Sequence, residues 1–424
     1  MKKVISFFMV FILMLSVSAC GSKKANTNIV TSLDQPVEIE FWHGLSGKVE
    51  AQLQTLTDQF NEQQPNITVK LVNQGSYNDL NKKLTVAATS NGLPALSMAY
   101  PQLIFQLARQ EKVVDIKPYM ENKEVGLDES IYFKPFIKEG ELDGKQYALP
   151  FNKSTEILTY NKTEFDKLGK ALPTSWDEAF AIAKEYHAQT GKVGFGLDSP
   201  NVLLATILKS SGVDNWKNED GTFNFNNPKV IEWATKFQQG KQEGWLRLPG
   251  EDKFLSTPFG NGDVLMYVGS NAGLTFTDSA VNGKFEWATA PYPNDVVIQQ
   301  GPSIFAMNNV SPQQQYASYE YMKFITSTPS TTSWAIATGY LPVTKDAMES
   351  DEYKKYLQDY PQAQAAYDQK DKMQILVENF PGSSEIFNNY MFDTMNSIIE
   401  GGSDVKTKLE ELNTKSKAAF ETAE

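Results

Sequence analysis

The sequence predicts an α/β protein of two lobes with a cleft between them, and three observations carry that prediction. The chain has 424 residues, too many for one ordinary core. From Val37 onward, runs with strand periodicity alternate with runs of helical periodicity. The stretch PFNKSTEILTYN at 150–161 is apolar at both ends and polar at its centre, with no Gly or Pro between Phe151 and Tyr160. A strand crossing between two sheets would be embedded at its ends, while Asn152 to Glu156 would face the cleft and solvent. A solvated edge strand is the plainer alternative.

The elements follow in order. VEIEFWH reads as a strand from Val37, and GLSG breaks it. KVEAQLQTLTDQFNEQQ then sets Val49, Leu53, Leu56 and Phe60 at helical spacing until Pro65 stops the helix. NITVKLVNQ alternates, with Ile67, Val69 and Leu71 on one face. SYNDLNKKLTVAAT reads as a helix, SNGLP as a turn and ALSMAY as a short apolar strand. A second unit opens with PTSWDEAFAIAKEYHAQTG, a helix with a capping box at Ser175 and Glu178 that closes at Gly191. VIEWATKFQQGKQEGW is a further helix, DVLMYVGS and FEWATAPYP are strands, and Ser311-Pro312 starts the long helix SPQQQYASYEYMKFITS. No internal repeat or low-complexity tract interrupts the pattern.

Composition narrows the class. Hydrophobic residues at 41% and aromatics at 12% suit a globular chain. A net charge of −12, with no basic run beyond the first residues and Lys23-Lys24, argues against a nucleic-acid partner. Met1-Lys2-Lys3 precedes VISFFMVFILMLSV, an apolar stretch shorter than a bilayer span. Residues 1–19 read as a signal peptide, and Cys20 directly after Val17-Ser18-Ala19 resembles the bacterial lipoprotein signal, in which that cysteine receives the lipid. Cys20 is the only cysteine, so no disulfide can form within the chain. Residues 20–36 read as a flexible tether.

Catalytic constellations are scarce. Of the two histidines, His187 falls on a solvated helix face, while Trp42 and His43 end the first strand at a Gly-rich break. No HExxH, G-x-S-x-G or Walker loop occurs, and no metal set or cofactor motif is read. A glycoside hydrolase needs only two carboxylates, so that reading stays open. Three loops combine Gly with Ser: HGLSG at 43–47, GSNAG at 269–273 and GPS at 301–303. Such loops can offer backbone N–H groups to an anion or a hydroxyl, or be ordinary connectors. Tyr77, Tyr100 and Tyr340 stand at element ends, where an aromatic stacks on a ligand or covers the core edge.

FWHGLSG, PFNKSTEILTYNKTEFDKLG, FGNGDVLMYVGS and TGYLPVTKDA carry a family resemblance. The chain resembles the extracellular solute-binding proteins of ABC importers, the class that includes maltose-binding proteins, with a closer likeness to the glycerol-3-phosphate binders. The resemblance implies a two-lobed periplasmic-binding-protein-like fold of class II, closing by hinge motion on a solute. It implies crossing segments near 150–155, 293–302 and 343–347, hence one lobe of 37–152 with 303–343 and another of 153–302 with 344–424. It implies a non-enzymatic monomer that delivers its solute to membrane permease subunits, outside the cytoplasm and tied to a Gram-positive cell membrane by lipid. Carried over position by position, the family's ligand contacts fall on Tyr77, Ser154, Ser270, Gly301 and Tyr340. This chain departs from the pattern at three places. Pro101 stands where relatives have a glutamate for glycerol hydroxyls, and Asn388 where they have a phosphate-clamping arginine. Small or aliphatic residues, Ser199 and Val202, replace pocket tryptophans, with Asp198 a new carboxylate beside them. The implied solute is of glycerol-phosphate type, a glycerophosphodiester such as glycerophosphocholine or glycerol-3-phosphate, and a sugar or oligosaccharide is the alternative.

Overall fold

The computed structural model describes residues 29–423 apart from 91 and 376–379. The signal peptide, Cys20 and most of the tether therefore lie outside the described residues.

Two sheets organise the chain. The first runs Ile67–Asn73, Val37–His43, Leu96–Ala99, Ser303–Ala306, Leu149–Pro150. Its first three strands are parallel, and Ser303–Ala306 is antiparallel to both of its neighbours. Parallel strands need crossover helices, and Gly47–Gln63 and Tyr77–Ser90 supply them at the positions the spacing predicts. The faces of these helices bury Leu53, Leu56 and Phe60, then Leu80 and Leu84. At about 1.5–3 kcal/mol per large apolar side chain, that burial holds them down. Behind Val37–His43 lies the long helix Pro312–Ile325, whose Tyr321 donates to or accepts from Thr57 at 2.7 Å.

The second sheet has seven strands. Its path is Met373–Gln374, Val297–Gln300, Ser154–Asn161, Val264–Ser270, Val193–Leu197, Leu246–Arg247, and Trp287–Ala290 also pairs with Ser154–Asn161. An aromatic cluster packs beneath it, with Trp176 edge-on to Trp233 at 4.9 Å and Phe180 edge-on to Phe237 at 5.0 Å. The helices Pro101–Arg109 and Pro200–Ser210, and those after residue 380, went unread in the sequence. Pro200–Ser210 is apolar on almost every side because it is buried on almost every side, so it shows no amphipathic period.

Three chain segments link the sheets. Asn152 N–H donates to Pro302 O at 3.2 Å, so two crossings touch one another, and Leu341 N–H, in the loop after Thr328–Thr338, donates to Lys153 O at 2.8 Å. Gly301 has φ +100°, and a Cβ there would stand 1.7 Å from Asn152 O, so no other residue fits the junction. Two expectations fail here. The polar run Asn152 to Glu156 was expected to face the ligand cleft and solvent, yet all five residues are buried, at 4% exposure or less. Their polarity serves the neighbouring crossings instead. Thr155 N–H donates to Asn271 Oδ1 at 2.8 Å, Thr155 Oγ1 donates to Ile298 O at 3.2 Å, and Asn152 Nδ2 donates to Tyr77 OH at 3.1 Å. The helices Lys345–Glu349 and Asp351–Asp359 were expected with the second lobe. They pack instead on Thr328–Thr338 of the first, because Thr344 bridges to Tyr132 and Lys345 Nζ donates to Ser130 O at 2.8 Å.

Candidate functional site

A cavity of about 310 Å³ lies where the crossings meet the two sheets. Tyr77, Tyr100, Pro101 and Gln102 bound it on the side of the first sheet, as does Glu139. Ser199, Asn201, Val202 and Lys253 bound it on the side of the second, with Phe254, Phe387 and Asn388. Gln299, Gln300 and Gly301 close its floor. Asn78, Gln102 and Asn388 also border a wider outer hollow of about 1290 Å³, whose rim carries Lys82, Arg109 and Lys415.

Tyr77 opens its helix at a position that faces the cavity. Its hydroxyl is shared with Asn152 and with the Tyr340 hydroxyl at 3.4 Å. Burial, with the neighbouring phenols Tyr340 and Tyr100, pushes Tyr77 well above the ordinary phenol value, so it remains a neutral donor and acceptor. Gly301 and Asn388 also line the cavity. Asn388 lies in the π-helical turn Ile386–Met391, and Nδ2 is already engaged by Ser384, with its carbonyl at 2.9 Å and its hydroxyl at 3.3 Å. The donor expected of Asn388 is thus committed within its own helix.

Other expected contacts stand outside the wall. Tyr340 is not in the lining and meets the cavity-lining Tyr77 hydroxyl to hydroxyl at 3.4 Å. Ser154 is paired opposite Gln300 at 4% exposure, and Ser270 Oγ accepts from Ala272 N–H at 3.2 Å as a helix cap. Trp42 turns Nε1 to Glu40. His43 is 1% exposed, and its Nδ1 accepts from Leu45 N–H at 3.3 Å. Burial pushes its pKa down, so it serves as a neutral strand-end lock and not as a cavity residue. The HGLSG loop has its glycine because a Cβ on Gly44 would meet the Ser76 backbone at 2.8 Å. Asp198 lies behind the wall, with Oδ1 accepting from Leu255 N–H at 2.7 Å.

A family model for bacterial extracellular solute-binding proteins matches residues 55–363. The chain belongs to this family. It is a binding protein and not an enzyme, it works with the membrane permease subunits of an ABC importer, and the family's place is outside the cytoplasm. The sn-glycerol-3-phosphate-binding periplasmic protein UgpB of Yersinia pseudotuberculosis is 23% identical over 348 residues, 78% of this chain and 79% of that one. UgpB from Mycobacterium tuberculosis, solved in complex with glycerophosphocholine, superposes with a TM-score of 0.79 at 21% identity, covering 91% of this chain and 99% of that one. The cyclic alpha-maltosyl-1,6-maltose binding protein from Arthrobacter globiformis gives a TM-score of 0.75 at 21% identity, covering 91% and 100%. These likenesses bear out the two-lobed solute-binding fold.

The solute-binding protein has wall residues that its sequence did not disclose. Phe254 is 52% exposed and lines the cavity beside Lys253, whose Nζ lies 5.7 Å from the Phe254 ring centroid. A large aromatic in the charged loop GEDKFL was the available signal. Gln102, buried at 4% within the apolar helix PQLIFQLAR, was another. Glu139, Gln299 and Phe387 gave none, because they meet only when the two sheets come together.

Proposed function

We propose that this solute-binding protein captures a glycerophosphodiester, with glycerophosphocholine as the reference ligand. One observation carries the reading: among the described residues lining the inner cavity, Lys253 is the only cation, and amides, hydroxyls and aromatic rings make up most of the rest. A phosphate monoester dianion asks for the bidentate, charge-assisted grip of an arginine, and none lines this cavity. A phosphodiester carries one negative charge, which one lysine and neutral donors can balance. Phe254 offers a ring face to a quaternary ammonium. The UgpB relatives, which bind sn-glycerol-3-phosphate or glycerophosphocholine, support the solute class. A sugar is the second reading, favoured by the amide-rich wall and the exposed Phe254 and supported by the maltose-type ligand of the Arthrobacter relative. Calorimetry with glycerophosphocholine, glycerol-3-phosphate and maltose separates the three. Tight binding of the diester supports the proposal, and tight binding of the monoester, or of maltose alone, overturns it.

We also read the protein as a monomer anchored through a lipid on Cys20, since a lone cysteine follows a short leader with small residues before it. Cys20→Ser is then expected to move the protein from the membrane to the soluble fraction with its solute affinity intact. A variant still found acylated in the membrane fraction would refute the anchor.

A further inference from the structure

Glu139 follows the short helix Lys134–Lys138 and lines the inner cavity while only 3% exposed. Its Oε2 is paired with Nζ of Lys153, a lysine with no solvent exposure. The same Nζ donates to Gly301 O at 3.0 Å. Burying either charge alone would be costly, and the pair offsets much of that cost while fixing the carboxylate in place. Oε1 of Glu139 makes no hydrogen bond or ion pair with the described residues.

Two more acceptors belong to cavity-lining side chains and also lack a partner: Oε1 of Gln102, at 4% exposure, and Oε1 of Gln299, at 0%. The donor side of Gln299 is committed, with Nε2 bonded to Pro135 O at 3.3 Å. A buried acceptor without a donor is destabilising, so the complement of these acceptors is a group that donates, while Gln300 Nε2, a buried donor of the same lining that also lacks a hydrogen bond, asks for an acceptor; a hydroxyl is both. A phosphodiester oxygen cannot donate, whereas neighbouring hydroxyls supply two O–H groups. We propose that Glu139, held by Lys153, is a binding residue for adjacent hydroxyl groups of the solute, with Oε1 of Gln102 and of Gln299 as further acceptors in the same cavity lining. This deepens the solute-binding reading and rests on it only for a solute with neighbouring hydroxyls, a feature that glycerophosphodiesters and sugars share.

The test is calorimetry on the full chain with glycerophosphocholine, its 2-deoxy analogue and maltose, for wild type, Glu139→Gln and Glu139→Asp. Glu139→Gln is expected to weaken glycerophosphocholine about tenfold or more and to leave the 2-deoxy analogue nearly unchanged. Glu139→Asp keeps a charge for Lys153 on a side chain shorter by a methylene, and should show a smaller loss at full binding stoichiometry. Stoichiometry and melting temperature tell a lost contact from a lost fold. Equal weakening of both analogues in a folded variant, or no weakening, overturns the assignment. Should wild type take maltose and neither phosphodiester, the phosphodiester reading fails and Glu139 is judged on maltose by the same tenfold criterion. A folded wild type that binds none of the three overturns both.

Discussion

Glu156 and Asp198 bring two carboxyls together behind the wall of the site. Glu156 is 4% exposed, and its burial, then the charge of Asp198, push it up to about 8, against a smaller opposing pull from the Gln300 side chain. Burial likewise pushes Asp198 up to about 7, while the Leu255 N–H pulls the other way. Tyr267 and Tyr292, both buried, are the other titratable groups facing the pair. A carboxyl with a raised folded-state value keeps its proton after the unfolded chain has released it. The stability this gives is complete below the unfolded value, near 4.5 for Glu156, and is lost as pH rises to about 8. The solute-free protein is therefore expected to melt at progressively lower temperature between about pH 5 and pH 8. Glu156→Gln should flatten that slope, as followed by thermal melts across the range. An equal slope in the variant would place the titration elsewhere.

At the scale of elements, local chemistry sets helix starts and contacts between segments set everything at the crossings. Ser311 and Gln314 form a complete capping box, which explains why Pro312–Ile325 begins where Ser311-Pro312 said it would. At Trp176–Thr190 only half of the expected box forms. Ser175 accepts from Glu178 N–H, but the Glu178 carboxylate reaches past the cap to Thr174 N–H at 2.7 Å. Asn271 does work that no local pattern announces. It is 2% exposed, accepts from Thr155 N–H on one crossing and donates, at 2.6 Å, to the carbonyl of Gly339, the cap of Thr328–Thr338. Asn271→Ala would leave a buried N–H and a buried carbonyl unpaired, and is expected to cost about 2–4 kcal/mol. Urea unfolding checks this, and a loss under about 0.5 kcal/mol would show that the crossings hold without it.

At the scale of the whole molecule, the cavity belongs to neither sheet. Its wall is shared between Tyr77, Tyr100 and Glu139 on one side and Asn201, Lys253 and Phe254 on the other. A solute that touches both sides favours the arrangement in which they approach, so closure follows from differential contact. At a hundredfold excess over Kd, the solute should add about 2.7 kcal/mol of stability. The radius of gyration in X-ray scattering should fall as the outer hollow of about 1290 Å³ narrows. An unchanged radius at saturation would refute closure.

The sequence by itself determined the alternation of strands and helices, the two-sheet architecture and the family, because these rest on periodicity, caps and short motifs along the chain. The resemblance pointed to Tyr77 and Gly301 as ligand contacts, and both line the cavity. Only the tertiary structure decided that Asn152 to Glu156 are buried and that His43 and Ser270 serve the backbone. It alone brought Glu139, Gln102, Gln299 and Phe254 to one cavity. The physical reason is distance along the chain. Polarity in a sequence looks the same whether its partner is water or Glu139 reaching Lys153 across fourteen positions, and only the meeting of the crossing segments settles which it is.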